Sequence, residues 1–291
     1  MKNENAYDNS IIKEHLGDSL SEILFNGHLE YSASNNPEIL GHALRDYFHQ
    51  AGGNVRRDSP ELFSIYSGAA DAGFQEQEIL LSPTAFSFYR GLGCIPEQFT
   101  DIYNCYFDSE IIHLGNNEVF VDGGAQDLFT SYRFAKKVHN QYNGIYAFEP
   151  DEKNYYECMG NKVLFDGDIH ISAVALSDKT CFLGFTGDKQ NSHVDGESSL
   201  LVQGAALDDC LEEIYPTFIK LHLEGSEFAA TLGAEKIIRS CQPKLAICID
   251  HCLEDITRIP MKILEFCSDY KLYLRHYSTT ITETVLYAIK Q

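Results

Sequence analysis

Two acidic residues at the ends of apolar segments are candidates for binding a ligand with neighbouring hydroxyl groups. Asp122 ends a β-prone run, and Gly123 and Gly124 follow it; without side chains they let the backbone turn sharply beside a ligand. Glu149 ends the next such run, 25 residues after Gly124. In doubly wound nucleotide-binding folds, an acid roughly 20 residues past the glycine turn accepts hydrogen bonds from ribose hydroxyls. An ordinary strand–helix loop with a helix-initiating acid is the alternative.

Three histidines, His222, His251 and His276, follow predicted strands and could converge at one edge of a sheet. A neutral imidazole can accept a proton near pH 7, and three of them could bind a metal ion. Each could equally be a hydrogen-bonded loop residue. Cys248 and Cys252 are the closest cysteine pair, and such a pair alone is a poor zinc signature. We therefore predict reduced thiols and no bound metal, with a three-histidine metal site as the weaker alternative.

The second half of the chain alternates apolar strands with helical segments, which predicts a parallel sheet flanked by helices. Strands are predicted at 118–121, 144–148, 169–176, 217–223, 244–249, 271–274 and 282–289, with a short extra one at 181–185. Helices are predicted from 127, around 154–158, and at 227–240 and 259–267. The last two strands are joined by a short loop, which is compatible with an antiparallel hairpin. Proteins with other doubly wound folds usually end on a helix instead.

Residues 1–110 lack this alternation of strands and helices. We predict a mainly helical N-terminal region there, followed by a second domain at 111–291. A helix starts at Pro37, and others are expected near 60, at 75–81 and from 95, the last carrying Tyr106. We find no catalytic constellation in this region. It could be a cap or a dimerisation element, so a homo-oligomer is possible.

Composition limits the kind of partner. The 291 residues include 43 acids against 22 basic residues, giving a formal charge of −21. Phosphate binding relies on clustered Lys and Arg, so nucleic acid is not expected as a partner. No apolar run approaches the roughly 20 residues of a membrane span, and the first residues lack a signal peptide's apolar stretch. We expect a soluble, cytoplasmic protein.

Ten sequence blocks, in this order, resemble the FkbM family of class I methyltransferases. They are EVFVDGGAQD, YAFEPDEKNY, AVALSD, LDD, FIKLHLEGSE, GAEKII, KLAICIDH, IP, YKLYLRHYS and ETVLYA. The resemblance covers residues 118–288. It implies an α/β, Rossmann-like fold: a doubly wound sheet of seven strands that closes with an antiparallel hairpin.

The resemblance also implies S-adenosylmethionine as the methyl donor and an O-methyltransferase acting on a hydroxyl of a small molecule, sugar or glycan. Glu149 would bind the donor's ribose. The other implied donor-site residues are Asp122, Gly123, Gly124 and Ala125 near the methionine part, with Asp127 beside them, and Ala173 and Val174 near the adenine. A ligand without a pyrophosphate does not need the third glycine of the dinucleotide motif, and the absence of that glycine here disfavours a nicotinamide cofactor.

On the acceptor side, the resemblance implies that the end of the strand at 217–223 faces the reacting methyl group. Methyl transfer to a hydroxyl needs a group that accepts the proton, and correct orientation can supply most of the rate. We predict His222 or His251 as this base, with Glu224 and Arg275 positioning the acceptor.

Two residues depart from the family pattern. Leu128 stands where the family has a glycine after Asp127, and His222 stands where it has an aspartate. A side chain at Leu128 could narrow the donor pocket, or merely start the following helix early. These departures indicate either an altered active site or a protein that has kept the fold without methyl transfer. The alternative function is therefore a non-catalytic binding or scaffold protein.

Overall fold

The computed structural model describes residues 9–34, 37–50, 105–186, 193–194, 201–277 and 283–290. Its elements are α1 Asn9–His15, α2 Ser19–Ser34, α3 Pro37–Gln50, β1 Val119–Gly123, α4 Phe129–Lys137, β2 Gly144–Phe148, α5 Glu152–Asn161, β3 Ile169–Ser172, β4 Ala175–Leu176, β5 Cys181–Thr186, β6 His193–Val194, β7 Leu201–Ala205, α6 Leu207–Cys210, β8 Phe218–Leu221, α7 Glu227–Leu232, α8 Glu235–Cys241, β9 Lys244–Cys248, α9 Asp255–Phe266, β10 Tyr270–His276 and β11 Thr284–Lys290. The helices predicted near 60 and at 75–81 lie outside the described residues. No helix within these ranges is long and apolar enough to cross a bilayer.

Seven strands form the main sheet in the order β3-β2-β1-β8-β9-β11-β10. β11 runs antiparallel to β9 and β10, and the other neighbouring strands are parallel. This confirms the predicted doubly wound sheet with an antiparallel closing pair. The chain adds β2 and β3 on one side of β1, and β8 and β9 on the other. The strand order therefore reverses between β1 and β8, where ligands bind in open α/β sheets.

The central strands are buried on both faces because successive side chains point in opposite directions. On one face, Val121 and Ile219 join a core cluster with residues from the N-terminal helices and α9. On the other face lies an aromatic cluster made of Phe107, Phe120, Phe134 and Phe218. This second face also receives residues 105–112, so the chain before β1 packs directly on the sheet.

Two predicted elements are divided in the structure. The strand predicted at 169–176 becomes β3 in the main sheet and β4 in a second, four-stranded sheet with the order β4-β7-β5-β6. The helix predicted at 227–240 becomes α7 and α8, which break at Gly233. A β-carbon at Gly233 would lie 2.0 Å from the carbonyl oxygen of Ser177, so the backbone there packs against the start of the second sheet.

The boundaries of α9 also differ from the prediction at 259–267. The helix begins at Asp255 and contains Pro260. Proline favours the first helical position, which is why the sequence suggested a later start. Tyr106 does not lie on a helix but in a turn with φ of 69°.

The N-terminal helices cover the edge strand β10. Asp18, before α2, accepts a 2.6 Å hydrogen bond from Arg275 Nη2, and Ser21 Oγ accepts one of 2.9 Å from the Leu274 N–H. Gly17 N donates to the carbonyl of Leu272 at 2.7 Å. Covering an edge in this way prevents other chains from pairing with it. The division of the chain into domains at residue 110 stays a prediction.

Leu128 adopts a backbone conformation that favours glycine. Its backbone is left-handed, with φ of 70° and ψ of 14°, and α4 begins at the next residue. For an L-residue with a side chain that conformation costs roughly 1–2 kcal/mol. The Leu128 side chain is fully buried in the same core cluster as the aromatic residues. Burial in that cluster offsets the backbone strain.

A pair of substitutions separates these two effects. Leu128→Ala keeps the strain and loses the buried side chain, whereas Leu128→Gly loses the same side chain and removes the strain. We expect both variants to be less stable than the unsubstituted protein, by about 2–5 kcal/mol for the alanine variant. The glycine variant should be about 1 kcal/mol more stable than the alanine variant, the reverse of the usual order. Denaturant unfolding measures the difference, and an alanine variant at least as stable as the glycine variant would contradict it.

Candidate functional site

A buried lysine holds the glycine turn at the end of β1. Lys220 Nζ donates to Asp122 Oδ1 at 2.9 Å, to the Gly123 carbonyl at 3.0 Å and to the Gly124 carbonyl at 2.9 Å. The side chains of Lys220 and Asp122 are only 3% and 0% exposed. An ammonium group has three donors, and all three have acceptors here. The positions of both glycine carbonyls are therefore fixed by one side chain from β8.

The carboxylate of Asp122 has protein partners on both oxygens. Oδ1 accepts from Lys220, and Oδ2 accepts a 2.7 Å hydrogen bond from Ser131 Oγ on α4. Asp122 thus connects β1, β8 and α4. Its expected position near the methionine part of a donor stays a prediction. In the structure, Asp122 helps to fix the glycine turn.

Gly124 brings the ends of β1 and β8 into direct contact. Its φ is +74°, and a β-carbon there would lie 1.9 Å from the carbonyl oxygen of His222. The N–H of His222 donates to the Gly123 carbonyl at 3.1 Å. Only glycine fits this position, because both the backbone angle and the close contact exclude a side chain. The predicted donor turn and the predicted acceptor-side histidine are consequently neighbours.

Glu149 lies at the end of β2, with its carboxylate held by backbone N–H groups. Oε2 accepts from Gln126 N at 2.8 Å and Oε1 accepts from Asp151 N at 3.0 Å. Burial raises the pKa of Glu149 to about 7, although these hydrogen bonds lower it. Asn154 Nδ2 also donates to Oε1, at 3.5 Å. A carboxylate has about four lone-pair sites, so acceptor capacity for a ligand hydroxyl remains on Oε2.

The other predicted donor residues lie around this position. Ala173 and Val174 follow β3, and the N–H of Glu149 donates to the carbonyl of Ser172, the last residue of that strand. Asp127 is buried, and its Oδ1 accepts from the Phe129 N–H at 2.9 Å, which helps to start α4. Burial raises the pKa of Asp127 to about 7. Ala125 is buried in the turn itself.

The predicted acceptor-side residues His222, Glu224 and His251 converge. His222 Nε2 lies 3.2 Å from Glu224 Oε1, and His251 Nε2 lies 3.3 Å from Glu224 Oε2. One carboxylate therefore stands between two imidazoles. Burial raises the pKa of Glu224, but its contacts with the two imidazoles outweigh this and leave that pKa well below its ordinary value.

Glu227, at the start of α7, contacts both His251 and the backbone that follows β8. It is fully buried and accepts hydrogen bonds from the N–H groups of Leu223 at 2.6 Å and Gly225 at 2.9 Å. Its Oε1 also lies 2.9 Å from His251 Nδ1. Burial lowers the pKa of His251, but Glu224 and Glu227 outweigh it and raise that pKa to about 11.

His222 has a raised pKa for a similar reason. Burial lowers it, and the hydrogen bond with Glu224 raises it by more. His251 therefore favours its charged form near neutral pH, and the contact with Glu224 shifts the pKa of His222 in the same direction. Either could act as a base only after losing that proton.

Tyr106 is a site residue that the sequence analysis missed. Its hydroxyl lies 2.5 Å from His222 Nδ1, and its ring centroid lies 5.4 Å from Lys220 Nζ. Its own N–H donates to Tyr287 Oη at 2.9 Å. No local pattern marks Tyr106, because it precedes the first strand and meets His222 only through the fold. A lysine inside the otherwise apolar strand around Lys220 was a signal that could have been read as a paired buried charge.

The three histidines do not form the metal site considered as an alternative. His276 Nδ1 lies 2.8 Å from Thr284 Oγ1, on which His28 Nε2 also converges at 3.2 Å. Cys248 joins the other two histidines instead: one ligand atom from each of His222, Cys248 and His251 lies within 4.8 Å of the others.

Arg275 lies at the edge strand and contacts the chain before β1. Besides Asp18, its guanidinium approaches Asp108, with Nε 3.4 Å from Oδ2. Nη1 donates to the carbonyl of Leu274 at 2.9 Å. These contacts connect the N-terminal helices to the sheet. Its predicted role in positioning an acceptor stays a prediction.

Comparison with known proteins identifies a related family. The sequence profile of the methyltransferase FkbM domain matches residues 122–276. A solved methyltransferase FkbM from Methylobacillus flagellatus KT is 24% identical, with a TM-score of 0.55 over 79% of this chain and 58% of that one. The present chain thus spans 58% of the length of that protein. No curated protein matches the sequence.

Two further solved structures are more distant. A precorrin-6y C5,15-methyltransferase from Geobacter metallireducens GS-15 is 12% identical, with a TM-score of 0.39 over 61% of this chain and 82% of that one. TrmK from M. capricolum, in complex with S-adenosyl-homocysteine, is 11% identical, with a TM-score of 0.38 over 67% and 68%.

Replacing the buried lysine tests its role in the turn. Lys220→Met leaves the Asp122 carboxylate buried without its cation, and we expect a loss of about 3–5 kcal/mol in the free energy of unfolding. Adding Asp122→Asn should recover part of that loss, because no charge is then left buried. Lys262→Met, which breaks an exposed pair with Glu265, is the control and should change stability by less than about 0.5 kcal/mol. A loss below about 1 kcal/mol for Lys220→Met, measured by denaturant unfolding, would contradict this role.

Proposed function

Because the chain belongs to the FkbM methyltransferase family, we propose that it transfers a methyl group from S-adenosylmethionine to a hydroxyl of a small molecule, sugar or glycan. The observation that carries this proposal is the contact between the two halves of the site. The turn proposed to meet the donor touches His222 through Gly124, with no room even for a β-carbon between them. Groups suited to a nucleoside and groups suited to a hydroxyl therefore share one edge of the sheet.

The residues at the end of β2 fit the donor. Glu149 retains acceptor capacity on Oε2 and is oriented by two backbone N–H groups and by Asn154, so it would bind a hydroxyl of the ribose. The turn from Gly123 to Ala125 would approach the methionine part, and Ala173 and Val174 the adenine. When bound, S-adenosylmethionine supplies an electrophilic methyl group on a sulfonium.

On the acceptor side, we propose that His222, Glu224 and His251 receive the hydroxyl. Glu224 is the negatively charged group of the three and can accept a hydrogen bond from the hydroxyl proton. His222 or His251 would accept that proton when its ring is neutral. Arg275 is proposed to help position the acceptor. Holding the oxygen in line with the methyl group supplies much of the rate without any strong base.

The net negative charge of the whole chain favours a small polar acceptor over nucleic acid. Acids outnumber basic residues 43 to 22, which would repel a phosphate backbone. A cytoplasmic location and a homo-oligomeric state remain predictions from the sequence.

A second candidate is a non-catalytic binding protein that keeps the methyltransferase fold. The contacts of Glu224 and Glu227 with the two imidazoles favour it, because they raise the pKa of both candidate bases and so oppose loss of the ring proton. Leu128 in the family's glycine position is the second observation.

Donor binding and turnover distinguish the two. We expect calorimetric binding of S-adenosylmethionine to the full chain, and formation of S-adenosylhomocysteine with a panel of phenols, sugars and glycans. Glu149→Ala should abolish both, and Glu152→Ala, an exposed acid on α5, should change neither. Donor binding without turnover would support the scaffold, and no binding at all would refute both the enzyme and its cofactor.

The pKa of Glu149 predicts a pH dependence of donor binding. A protonated carboxyl offers fewer acceptors to the ribose, so the affinity should fall as the pH drops through about 7. If only the ionised form binds, S-adenosylmethionine should bind roughly tenfold more weakly at pH 6 than at pH 8. Glu149→Gln should bind weakly at both values, and Glu152→Gln should retain the full dependence. Equal affinities of the unsubstituted chain at the two pH values would show that Glu149 does not contact the donor.

A further inference from the structure

Two imidazoles and one thiol meet where β8 and β9 end. We propose that His222, Cys248 and His251 bind a divalent transition metal ion of the zinc type. One ligand atom from each of the three residues lies within 4.8 Å of the others. Imidazole nitrogen and thiolate sulfur are ligands that Zn²⁺ prefers in proteins.

The sheet itself brings these residues together. β8 and β9 are parallel, and Leu221 pairs with Ile247. The next residues, His222 and Cys248, are therefore opposite one another on the same face of the sheet. His251 follows in the turn after β9, and its ring centroid lies 5.0 Å from that of His222. Two of the three ligands thus stand at the ends of buried neighbouring strands, which position side chains more rigidly than loops do.

The Nδ1 atom of each imidazole lies close to a polar group from another segment of the chain. The hydroxyl of Tyr106 lies 2.5 Å from His222 Nδ1, and Glu227 Oε1 lies 2.9 Å from His251 Nδ1. The Nε2 atoms face a common region instead, where each lies close to Glu224. Metal-binding histidines nearly always hold their second nitrogen against a carboxylate, carbonyl or similar group in this way.

Glu224 and Asp250 complete the surroundings. The two oxygens of Glu224 lie 3.2 and 3.3 Å from the two Nε2 atoms, so this carboxylate is in reach as a fourth, oxygen ligand. The Cys248 thiol donates to Asp250 Oδ1 at 3.0 Å. On binding, a metal–sulfur bond would replace the S–H bond and metal–nitrogen bonds would replace the Nε2–H bonds of any charged imidazole, and these protons would pass to solvent. A thiolate with two imidazoles selects against Mg²⁺ and Ca²⁺, which prefer oxygen ligands.

This inference is independent of methyl transfer. The ion would occupy the Nε2 atoms that a base would use, so the metal-bound state and the base role exclude each other at one time. The test below contains no methyl donor and no acceptor. Failure to bind metal would leave the methyltransferase proposal intact, and the reverse also holds.

Metal binding can be measured on the full chain after removal of metal with a chelator. We expect one Zn²⁺ per chain in competition with a chromophoric chelator. Co²⁺ should give a thiolate-to-metal charge-transfer band in the near ultraviolet. Cys248→Ala and His251→Gln should each weaken Zn²⁺ binding by at least about 100-fold, and Tyr106→Phe, which removes only an outer partner, by roughly 10-fold.

Matched controls use the same residue types elsewhere. Cys267→Ala removes another buried thiol and His170→Gln another histidine that faces a carboxylate, and both should leave Zn²⁺ affinity unchanged. The Co²⁺ spectrum of the unsubstituted chain decides the matter even if a variant fails to fold. Absence of the charge-transfer band, or Zn²⁺ binding by Cys248→Ala as tight as by the unsubstituted chain, would overturn the proposal.

Discussion

The site is organised by one buried ammonium group with three acceptors. A charge removed from water is tolerated only when it is paired and fully hydrogen-bonded, and Lys220 satisfies this with Asp122 and two glycine carbonyls. The pair joins β1 and β8 where the order of the strands reverses. Because the carbonyls of Gly123 and Gly124 are held, the turn cannot move away from the end of β8. The contact between Gly124 and His222 follows from that constraint.

The neighbours of the carboxylates at this edge of the sheet shift their pKa values in opposite directions. Glu149 is buried among backbone N–H groups with no cation beside it, so its pKa rises to about 7. Glu224 and Glu227 are also desolvated, but each faces an imidazole and has a lowered pKa. The same residue type therefore provides a carboxyl that titrates near neutrality on one side and permanent negative charge on the other. Hydroxyl recognition suits the first environment, and cation binding suits the second.

Local sequence patterns predicted those features that depend on residues close together in the chain. Alternating apolar runs gave the main strands, and an acid after a strand gave the position of Glu149. The short loop between the last two strands was compatible with a closing hairpin, and the resemblance implied one. What could not be predicted depends on contacts between distant segments: Tyr106 meets His222 from 116 positions away, and Cys248 meets it across a strand pair. Asp208 is a further case, because its carboxylate accepts hydrogen bonds from the N–H groups of Lys236 and Ile237 at the start of α8, 28 and 29 positions away.

The two departures from the family pattern are each stabilised by a different means. The left-handed backbone angles of Leu128 cost free energy, and full burial of its side chain in a core cluster offsets that cost. Both ring nitrogens of His222 have polar neighbours, Tyr106 Oη at 2.5 Å from Nδ1 and Glu224 Oε1 at 3.2 Å from Nε2. An imidazole removed from water is costly when its nitrogens have no polar partner. The contacts with Tyr106 and Glu224 therefore stabilise His222 where β8 ends, beside the glycine turn.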